Sequence, residues 1–341
     1  MTTYAKNALG GPEGMLRSCT AVAHSKVNLD LTVGPLREDR YHELTTVFQS
    51  LSLADHVTLT VTDLVPRTHV TYAENTLEVT GYGADVTPTD SSNLAWQAAN
   101  RLIAMAARRP AVGGCDLMPR VAISIAKGIP VAGGMAGGSA DAAAALRATA
   151  AILAPFVGPI PESVLLDLAA QLGSDVPFTL LGGTMQGTGR GENLVPSMCR
   201  GTFHWALALQ KEGLSTPRVF QKLDELREER PSAGARHNRD QLSKALITGD
   251  AAQLAKFLAN DLQAPALSIR PVLRRVLDAG RSAGALGGMV SGSGPTCAFL
   301  CADAQAAEDV AAELLASGLA HLTTTATSPA AGAVVAATEP A

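Results

Sequence analysis

The sequence predicts a two-domain protein that mixes α-helices with β-strands. The chain has 341 residues, a length that favours two domains sharing one cleft over a single hydrophobic core. Residues 23–33 alternate polar and apolar side chains, as a half-buried strand does. Residues 93–107 instead carry apolar side chains at helical spacing, and further helical segments follow on both sides of the chain's middle.

The composition indicates a small-molecule partner. The formal net charge is -4 and only 4% of the residues are aromatic, so the basic, aromatic-lined surface of a nucleic-acid binder is not expected. No apolar run reaches the roughly 18 residues of a membrane span, and no signal peptide is evident. We therefore expect a cytoplasmic protein whose five scattered cysteines are reduced.

Changes along the chain suggest where the domains lie. Residues 1–17 lack periodicity and are interpreted as a flexible leader. The composition becomes rich in glycine around residues 184–191, which favours a first domain over residues 18–192 and a second over residues 193–341. The sequence leaves the oligomeric state open.

A glycine-rich stretch that runs into an alanine-rich helical segment is the most informative motif. Glycines let backbone N–H groups approach a polyanion, and the first turn of a helix adds unpaired N–H donors and partial positive charge. The stretch therefore predicts a phosphate-binding loop before a helix that begins at Ser139. The loop residues are Pro130, Val131, Ala132, Gly133, Gly134, Met135, Ala136, Gly137, Gly138, Ser139 and Ala140.

Two better-known phosphate loops fit this stretch poorly. A Walker loop needs a lysine after its glycines, whereas the nearby Lys127 precedes them. A dinucleotide-binding fingerprint follows a strand near the start of a βαβ unit, and a long stretch of another kind precedes this one. Close packing around a helix of small residues is the remaining non-functional interpretation.

A second loop of glycine and serine lies in the other half of the chain, directly before the strand-like residues 297–300. It contains Ser291, Gly292, Ser293 and Gly294. Two such loops from opposite halves could close over the same phosphates.

The polar face of the predicted strand at residues 23–33 carries His24, Lys26, Asn28, Asp30 and Thr32. Such a face usually meets water. Its complementary functional groups would also suit the floor of an active site.

These motifs resemble those of the GHMP kinases, the superfamily of galactokinase, homoserine kinase and mevalonate kinase. Residues 130–139 are similar to its phosphate loop and residues 291–296 to its C-terminal glycine motif. Six further motifs, in order, are similar to those of the diphosphocytidyl-methylerythritol kinases within it. They are Lys26-Val27-Asn28-Leu29, Tyr41-His42-Glu43-Leu44-x-Thr46-x-x-Gln49, Asn93-Leu94, Lys127-Gly128-Ile129-Pro130, Gly173-Ser174-Asp175-Val176-Pro177-Phe178 and Asn260-Asp261-Leu262.

The resemblance implies the two-domain α+β fold of the GHMP kinases, with the nucleotide and the substrate in the cleft between domains. It also implies a reaction, in which ATP phosphorylates the C2 hydroxyl of a cytidine-diphosphate-linked methylerythritol in the non-mevalonate route to isoprenoid precursors. Asp175 would be the base and Lys26 would stabilise the developing alkoxide. The alternatives are a turn or cap role for Asp175 and a structural ion pair between the two residues.

The remaining expected roles divide between the two ends of the site. At the nucleotide end, Asn93 and Lys127 would lie near adenosine, and Ser139 would contact a phosphate or Mg²⁺. A helix cap, a solvated lysine and an N-cap are the respective alternatives.

At the other end, Tyr41 and Phe220 would sandwich the cytosine while His42 reads its edge. Asn28 and Thr216 would contact the erythritol and diphosphate parts. Phe220 lies in a short motif, and a phenylalanine on an ordinary helix would look the same.

Two rival functions stay open at this point. A GHMP kinase for another alcohol, such as homoserine or mevalonate, would not need aromatic residues to stack on a base. A non-catalytic nucleotide-binding protein of the same fold would usually lose its base or its lysine, and this chain has both.

Overall fold

The computed structural model describes residues 10–38, 41–70, 75–131, 133–229 and 235–341. Within them the chain forms twelve strands and ten α-helices. The strands are β1 (Leu16–Leu36), β2 (His42–Pro66), β3 (Thr76–Gly81), β4 (Leu117–Lys127), β5 (Thr184–Gly189), β6 (Asn193–Pro196), β7 (Phe203–Leu209), β8 (Ala259–Asn260), β9 (Gly287–Val290), β10 (Cys297–Cys301), β11 (Leu322–Ser328) and β12 (Val334–Pro340). The helices are α1 (Leu94–Ala106), α2 (Gly137–Val157), α3 (Glu162–Leu172), α4 (Val176–Leu181), α5 (Thr216–Glu229), α6 (Arg239–Thr248), α7 (Ala251–Ala255), α8 (Gln263–Ile269), α9 (Val272–Ser282) and α10 (Ala304–Ala316).

Two sheets organise these elements. The first has eight strands, with the order β12-β1-β2-β4-β3 and with β5, β6 and β8 attached beside β2, β5 and β1. The second has four strands in the order β11-β7-β10-β9. Helices pack against both sheets. One hydrophobic core extends from the first sheet to one face of the second, and another covers the opposite face of the second sheet. The predicted α+β class is therefore confirmed.

The strand pairing shows which parts of the chain contribute to each sheet. β6 pairs with β5 in the first sheet, and the second sheet begins with β7. β12 returns from the far end of the chain to pair with β1. β1 itself begins at Leu16, while residues 1–9 of the expected leader lie outside the described residues. The boundary at residues 192 and 193 and the leader stay predictions.

α2 is the central helix of the first core. It begins at Gly137, two residues before the predicted start at Ser139. Six of its nine alanines are buried, because a side chain of one methyl group lets the helix lie close to both α1 and β1. Among the described helices it alone is long and apolar enough to cross a membrane, and 72% of its most apolar window is buried inside the protein.

The helix predicted over residues 93–107 forms as α1. It is capped by Asn93, whose side chain accepts hydrogen bonds from the backbone N–H groups of Ala95 and Trp96. The five cysteines are free thiols, and burial raises the pKa of Cys297 to about 12.

A cluster of buried charges ties β1 to the second half of the chain. Asp30 on β1 accepts hydrogen bonds from His237 Nδ1 at 2.6 Å and from Arg239 Nε at 2.8 Å. The other ring nitrogen of His237 lies 3.1 Å from Asp261 Oδ1. The imidazole therefore bridges two carboxylates that come from distant parts of the chain.

This environment favours the charged imidazolium. Burial by itself would lower the pKa of His237, but the hydrogen bonds that its ring donates to Asp261 and Asp30, together with their negative charges, outweigh burial and raise the pKa to about 9. A histidine in the unfolded chain has a pKa of about 6.5. The bridge therefore stabilises the fold fully below pH 6.5, and this contribution is lost as the pH rises through about 9.

We expect His237→Gln to lower the free energy of unfolding by about 2 kcal/mol at pH 6 and by much less at pH 10. Urea unfolding at the two pH values measures the difference. His321→Gln is the control, because the His321 side chain is exposed. An equal loss for His237→Gln at both pH values would contradict the assignment of an imidazolium bridge.

Candidate active site

Three cavities follow one another along a cleft and share residues where they meet. The first, of about 310 Å³, is lined by the phosphate loop, Asn93 and Lys127. The second, of about 180 Å³, contains Lys26 and Asp175 and shares Gly134 and Ala136 with the first. The third, of about 420 Å³, is lined by aromatic side chains and shares Thr216 and Phe220 among others with the second. We call them the nucleotide cavity, the central cavity and the aromatic cavity.

Lys26 and Asp175 face each other in the central cavity. Lys26 Nζ lies 3.7 Å from Asp175 Oδ2 and donates a hydrogen bond to Asn28 Oδ1 at 2.7 Å. Asn28 in turn donates to the hydroxyl of Thr46 at 2.8 Å. Lys26 and Asn28 are buried, so this polar face of β1 does not meet bulk water. It forms the floor of the cavity, as the second interpretation of the strand pattern expects.

Irregularities in strand pairing occur beside both of these residues. The register between β1 and β2 shifts between His24 and Lys26 and again between Asn28 and Asp30. Bulges of this kind bend a strand and redirect its side chains, and they are frequent next to active sites. Here they flank the stretch of β1 that carries the lysine and the asparagine.

Asp175 is held opposite Lys26 by the short helix that follows it. Phe178 on α4 stacks on Phe48 of β2 with ring centroids 4.8 Å apart. The Thr179 hydroxyl donates to the carbonyl oxygen of Ser139 on α2 at 3.0 Å. Asp175 takes the N-cap position of α4, yet its side chain makes no capping hydrogen bond. Its carboxylate, about a third exposed, therefore stays available to a ligand.

Lys127 lies at the base of the nucleotide cavity between two aspartates. Its ammonium donates hydrogen bonds to Asp55 and, at 2.7 Å, to Asp141 Oδ2. Asp55 also accepts hydrogen bonds from the backbone N–H groups of Gly128 and Ile129 at 2.7 and 2.8 Å. These bonds join β2, β4 and α2 and fix the entry to the phosphate loop.

The two carboxylates of this cluster differ in their surroundings. Burial and the nearby charge of Asp55 raise the pKa of Asp141 to about 8, although Lys127 opposes the shift. Asp141 Oδ1 is buried without a hydrogen-bond partner in the part of the chain described. Asp55 has two backbone donors in addition to the ammonium, so Asp55 is the carboxylate that carries the negative charge opposite Lys127.

The two glycine loops interlock at the boundary of the nucleotide and central cavities. The Ser291 hydroxyl donates to the carbonyl oxygen of Gly134 at 3.2 Å. The backbone N–H of Lys26 donates to the carbonyl oxygen of Met135 at 3.2 Å. The side chain of Asn260 holds the second loop by donating to the carbonyl oxygens of Val290 and Gly292.

This close approach requires a glycine at residue 134. Gly134 has a positive φ of 70°, and a Cβ atom there would overlap the carbonyl oxygen of Ser291. Ala136, the residue before α2, has a φ of 60°, a conformation that non-glycine residues rarely adopt. The phosphate loop is therefore a strained segment between two fixed ends.

The aromatic cavity brings together the residues expected around a base. The rings of His42 and Phe220 stack with centroids 5.2 Å apart. Tyr41 is more than half exposed, and the guanidinium group of Arg190 lies 5.2 Å from the centre of its ring. The Thr216 hydroxyl, at the start of α5, lies 2.9 Å from the Ser293 hydroxyl and so connects this cavity to the second glycine loop.

Most of the predicted site residues line one of the three cavities, and a few line none of them. The central cavity contains Lys26, Asp175, Asn28, Thr216, Phe220, Gly134, Ala136, Gly292 and Ser293. The nucleotide cavity contains Asn93, Lys127, Pro130, Val131, Gly133, Gly134, Met135, Ala136, Gly137 and Gly138, and the aromatic cavity contains Tyr41 and His42. Ser139, Ala140, Ser291 and Gly294 do not line these three cavities, and Ala132 lies outside the described residues.

Two alternative interpretations from the sequence are wrong. Ser139 is not an N-cap, because α2 begins two residues earlier and Ala136 takes the cap position. Lys127 is not a solvated lysine, since it is buried between two carboxylates. The sequence reasoning also gave no role to Asp55 or Arg190. The sequence signal for such a partner is Lys127 itself, because a lysine just before a phosphate loop needs a carboxylate counterion when it is buried.

Comparison with known proteins agrees with this geometry. The family model described as the GHMP kinases N terminal domain matches residues 93–183, and the model described as GHMP kinases C terminal matches residues 242–320. A protein of Corynebacterium diphtheriae named 4-diphosphocytidyl-2-C-methyl-D-erythritol kinase is 55% identical over 320 residues, which are 93% of this chain and 97% of the relative.

The chain belongs to the GHMP kinase family. A Rhodococcus jostii relative of the same name is 54% identical to this GHMP kinase and covers 91% of it, with 93% of the relative matched. A crystal structure of a 4-(cytidine 5'-diphospho)-2C-methyl-D-erythritol kinase is 29% identical, with a TM-score of 0.68 over 91% of this chain and 99% of the other. The mevalonate kinase of L. major shares the fold. It is 15% identical, with a TM-score of 0.69 over 96% of this chain and 99% of the other.

We expect Gly134→Ala to abolish most of the kinase activity, because its Cβ cannot fit beside the Ser291 carbonyl and the two loops must separate. Gly183→Ala is the matched control, since Gly183 also has a positive φ but has nothing within 4 Å of an added Cβ. Thermal unfolding and the KM for ATP distinguish the two variants. Equal effects would mean that backbone strain, and not contact between the loops, explains the need for glycine.

We expect Lys127→Met to lower the free energy of unfolding by about 3–5 kcal/mol, because it leaves the buried charge of Asp55 unpaired. Asp141→Asn should cost much less, since a protonated aspartate and an asparagine have similar shape and charge. Chemical denaturation at pH 7 measures both values. A loss for Asp141→Asn as large as that for Lys127→Met would contradict the assignment of the charge to Asp55.

Proposed function

We propose that this GHMP kinase transfers the γ-phosphoryl group of ATP to the C2 hydroxyl of 4-diphosphocytidyl-2-C-methyl-D-erythritol, a step of the non-mevalonate route to isoprenoid precursors. The observation that carries the proposal is the central cavity, where a lysine and an aspartate face both glycine loops between the nucleotide cavity and the aromatic cavity. Relatives that are more than half identical over nearly the whole chain carry the name of that enzyme.

ATP, the phosphate donor of GHMP kinases, would occupy the nucleotide cavity. The N–H groups of the phosphate loop and the first turn of α2 would hold its phosphates. Lys127, beneath the loop, uses two of its three N–H donors on Asp55 and Asp141 and keeps the third for the nucleotide. Asn93 caps α1 with its side-chain oxygen and lines the same cavity, so it would position the helix beside the adenosine part.

Asp175 and Lys26 would carry out the transfer. The C2 hydroxyl oxygen attacks the γ-phosphorus, the bond from the γ-phosphorus to the β,γ-bridging oxygen breaks, and ADP leaves. The hydroxyl proton passes to the Asp175 carboxylate. The Lys26 ammonium, fixed by Asn28, stabilises the negative charge on the attacking oxygen and keeps that oxygen in line with the phosphate.

Mg²⁺ is the metal that we propose to accompany ATP, and the residues present fit a shared site better than a cage of protein ligands. No group of three histidine, cysteine or acidic side chains could hold a metal within the described residues. Mg²⁺ in kinases binds the substrate phosphates, water and few protein groups. Ser139 does not itself line the nucleotide cavity, but it follows directly on Gly137 and Gly138, which do. Its hydroxyl makes no hydrogen bond to another described residue and would supply such a group. The metal would neutralise charge on the phosphates.

The aromatic cavity would bind the cytidine end of the substrate. Phe220 and Tyr41 supply flat surfaces for the base, and His42 would contact its edge. Arg190 borders both the aromatic and the central cavities, so its guanidinium group is in the right place to pair with the diphosphate. Thr216 and Asn28 would contact the parts of the substrate nearest the reacting hydroxyl.

The proposed partner is thus this small molecule, with neither nucleic acid nor a membrane involved, and the proposed place of action is the cytoplasm. The mildly acidic composition supports the first point. A kinase for homoserine or mevalonate would share the fold, but those substrates have no base that would use an aromatic cavity of about 420 Å³.

We expect Asp175→Asn to lower kcat by a factor of about 10²–10⁴, because the amide cannot accept the hydroxyl proton. The KM values for ATP and for the cytidine substrate should change little. ADP release with Mg²⁺-ATP and the cytidine substrate measures the rates, with homoserine and mevalonate assayed in parallel.

Asp167→Asn serves as the control, since Asp167 is an exposed aspartate on α3 and should leave kcat unchanged. Turnover of homoserine or mevalonate in preference to the cytidine substrate would refute the proposed substrate. Full activity of Asp175→Asn would refute the role of Asp175 as the base.

A further inference from the structure

Asp224 makes a contact in the aromatic cavity that the proposed function does not yet use. It lies four residues after Phe220 on α5, so both side chains project from the same face of the helix. Phe220 stacks on the His42 ring, while the Asp224 carboxylate lies 2.9 Å from His42 Nε2. One helix therefore fixes both the plane of the imidazole and the direction of one ring nitrogen.

The two partners differ in exposure. The His42 side chain is 7% exposed, whereas that of Asp224 is 44% exposed at the rim of the cavity. An ion pair that is open to water contributes only about 0–1 kcal/mol to stability. The contact therefore does little for the fold, and its main effect falls on the buried imidazole.

A carboxylate oxygen only accepts hydrogen bonds, so Nε2 must carry the proton in this pair. In the neutral ring the other nitrogen, Nδ1, is then a hydrogen-bond acceptor. The bond to Asp224 is the one hydrogen bond of the His42 side chain to any described residue. Nδ1 is thus left free on a ring that lines the cavity.

The neighbouring charges on α5 do not compete for Asp224. Glu225 forms ion pairs with Arg218 at 2.8 Å and Lys222 at 3.0 Å. Arg227 reaches in another direction, to Asp261 at 3.2 Å. Asp224 is therefore the carboxylate of α5 that binds His42.

An acceptor in this position distinguishes between the two common pyrimidine bases. At carbon 4, cytosine carries an amino group that donates hydrogen bonds, whereas the uracil-type bases carry a carbonyl oxygen that only accepts. An unprotonated Nδ1 pairs with the amino group and leaves the carbonyl facing another acceptor. Two facing acceptors are disfavoured because each loses a hydrogen bond to water.

We propose that Asp224 is a positioning residue that makes this kinase specific for cytidine over uridine, by holding His42 with its proton on Nε2 and an acceptor at Nδ1. The proposal rests on the proposed function, because it takes the base of the substrate to lie in the aromatic cavity. It concerns selectivity for the base and leaves the chemistry at Asp175 and Lys26 unchanged.

The test compares Asp224→Asn with the wild-type protein on two pairs of ligands. kcat/KM is measured with the cytidine-diphosphate methylerythritol and with its uridine-diphosphate analogue, and binding of CDP and UDP is measured by calorimetry without turnover. The wild type should prefer the cytidine compounds by about 10-fold to 100-fold. In Asp224→Asn the amide can present either an acceptor or a donor to Nε2, so we expect the preference to fall at least about tenfold.

Two controls separate this role from a structural one. Glu225→Gln alters the adjacent carboxylate of α5 and should leave the preference as it is. A positioning role predicts that Asp224→Asn raises the KM for the cytidine substrate, while the KM for ATP, which would bind in the nucleotide cavity, stays near its wild-type value. The ¹⁵N shifts of the His42 ring should show an unprotonated Nδ1 in the wild type and a mixture of tautomers in the variant.

The outcomes distinguish failure of this inference from failure of the proposed function. An unchanged preference in Asp224→Asn, or a wild type that binds CDP and UDP equally, overturns the role of Asp224. A wild type that turns over neither nucleotide substrate overturns the proposed function. A CDP preference that Asp224→Asn then abolishes would still support the positioning role.

Discussion

The nucleotide end of the cleft depends on the contacts of the buried Lys127 ammonium with Asp55 and Asp141. A lone charge in such a place would be strongly unfavourable, and the ionised carboxylate of Asp55 offsets it. Asp55 also accepts hydrogen bonds from the N–H groups of the two residues that lead into the phosphate loop, so one side chain both compensates the charge and fixes the start of the loop. Asp141 adds the link to α2. The start of the phosphate loop and the helix beyond it are therefore set by one group of three residues.

A second constraint is the meeting of the two glycine loops. The phosphate loop contributes carbonyl oxygens to both Ser291 and the backbone of Lys26. Lys26, the proposed catalytic lysine, is thus bonded through its backbone to the loop that would hold the ATP phosphates. Bringing an acceptor hydroxyl and a phosphate together in a fixed geometry is a large part of what a kinase does. In this protein the carbonyl oxygens of the phosphate loop contribute to that geometry, through one bond from the Ser291 hydroxyl and one from the Lys26 backbone.

The sequence predicts the parts of the site that depend on local patterns. The phosphate loop, the strand with Lys26 and Asn28, and the cap at Asn93 are each recognisable within about ten residues. The start of α2 was misplaced because two glycines, which are poor helix formers, make up its first turn. The bulges beside Lys26 leave no mark in the sequence, since they depend on how β2 pairs with β1.

Contacts between distant residues explain the rest of what the sequence did not reveal. Lys127 looks solvated until β2 brings Asp55, which is 72 positions away, against it. His42 and Asp224 are 182 positions apart and meet only when α5 packs over the end of β2. His237 and Asp30 are 207 positions apart, yet Asp30 binds the ring of His237. Such pairs become visible only through the fold.

The pairing of β12 with β1 determines when the strand that carries Lys26 can be completed as the ribosome makes the chain. β1 carries Lys26, and its edge partner β12 begins at Val334, so about three hundred residues are synthesised before that edge can be paired. During that interval the edge of β1 exposes unpaired N–H and C=O groups, which are prone to join strands of other molecules. We therefore expect chaperones to bind the nascent chain of this protein until β12 has been synthesised.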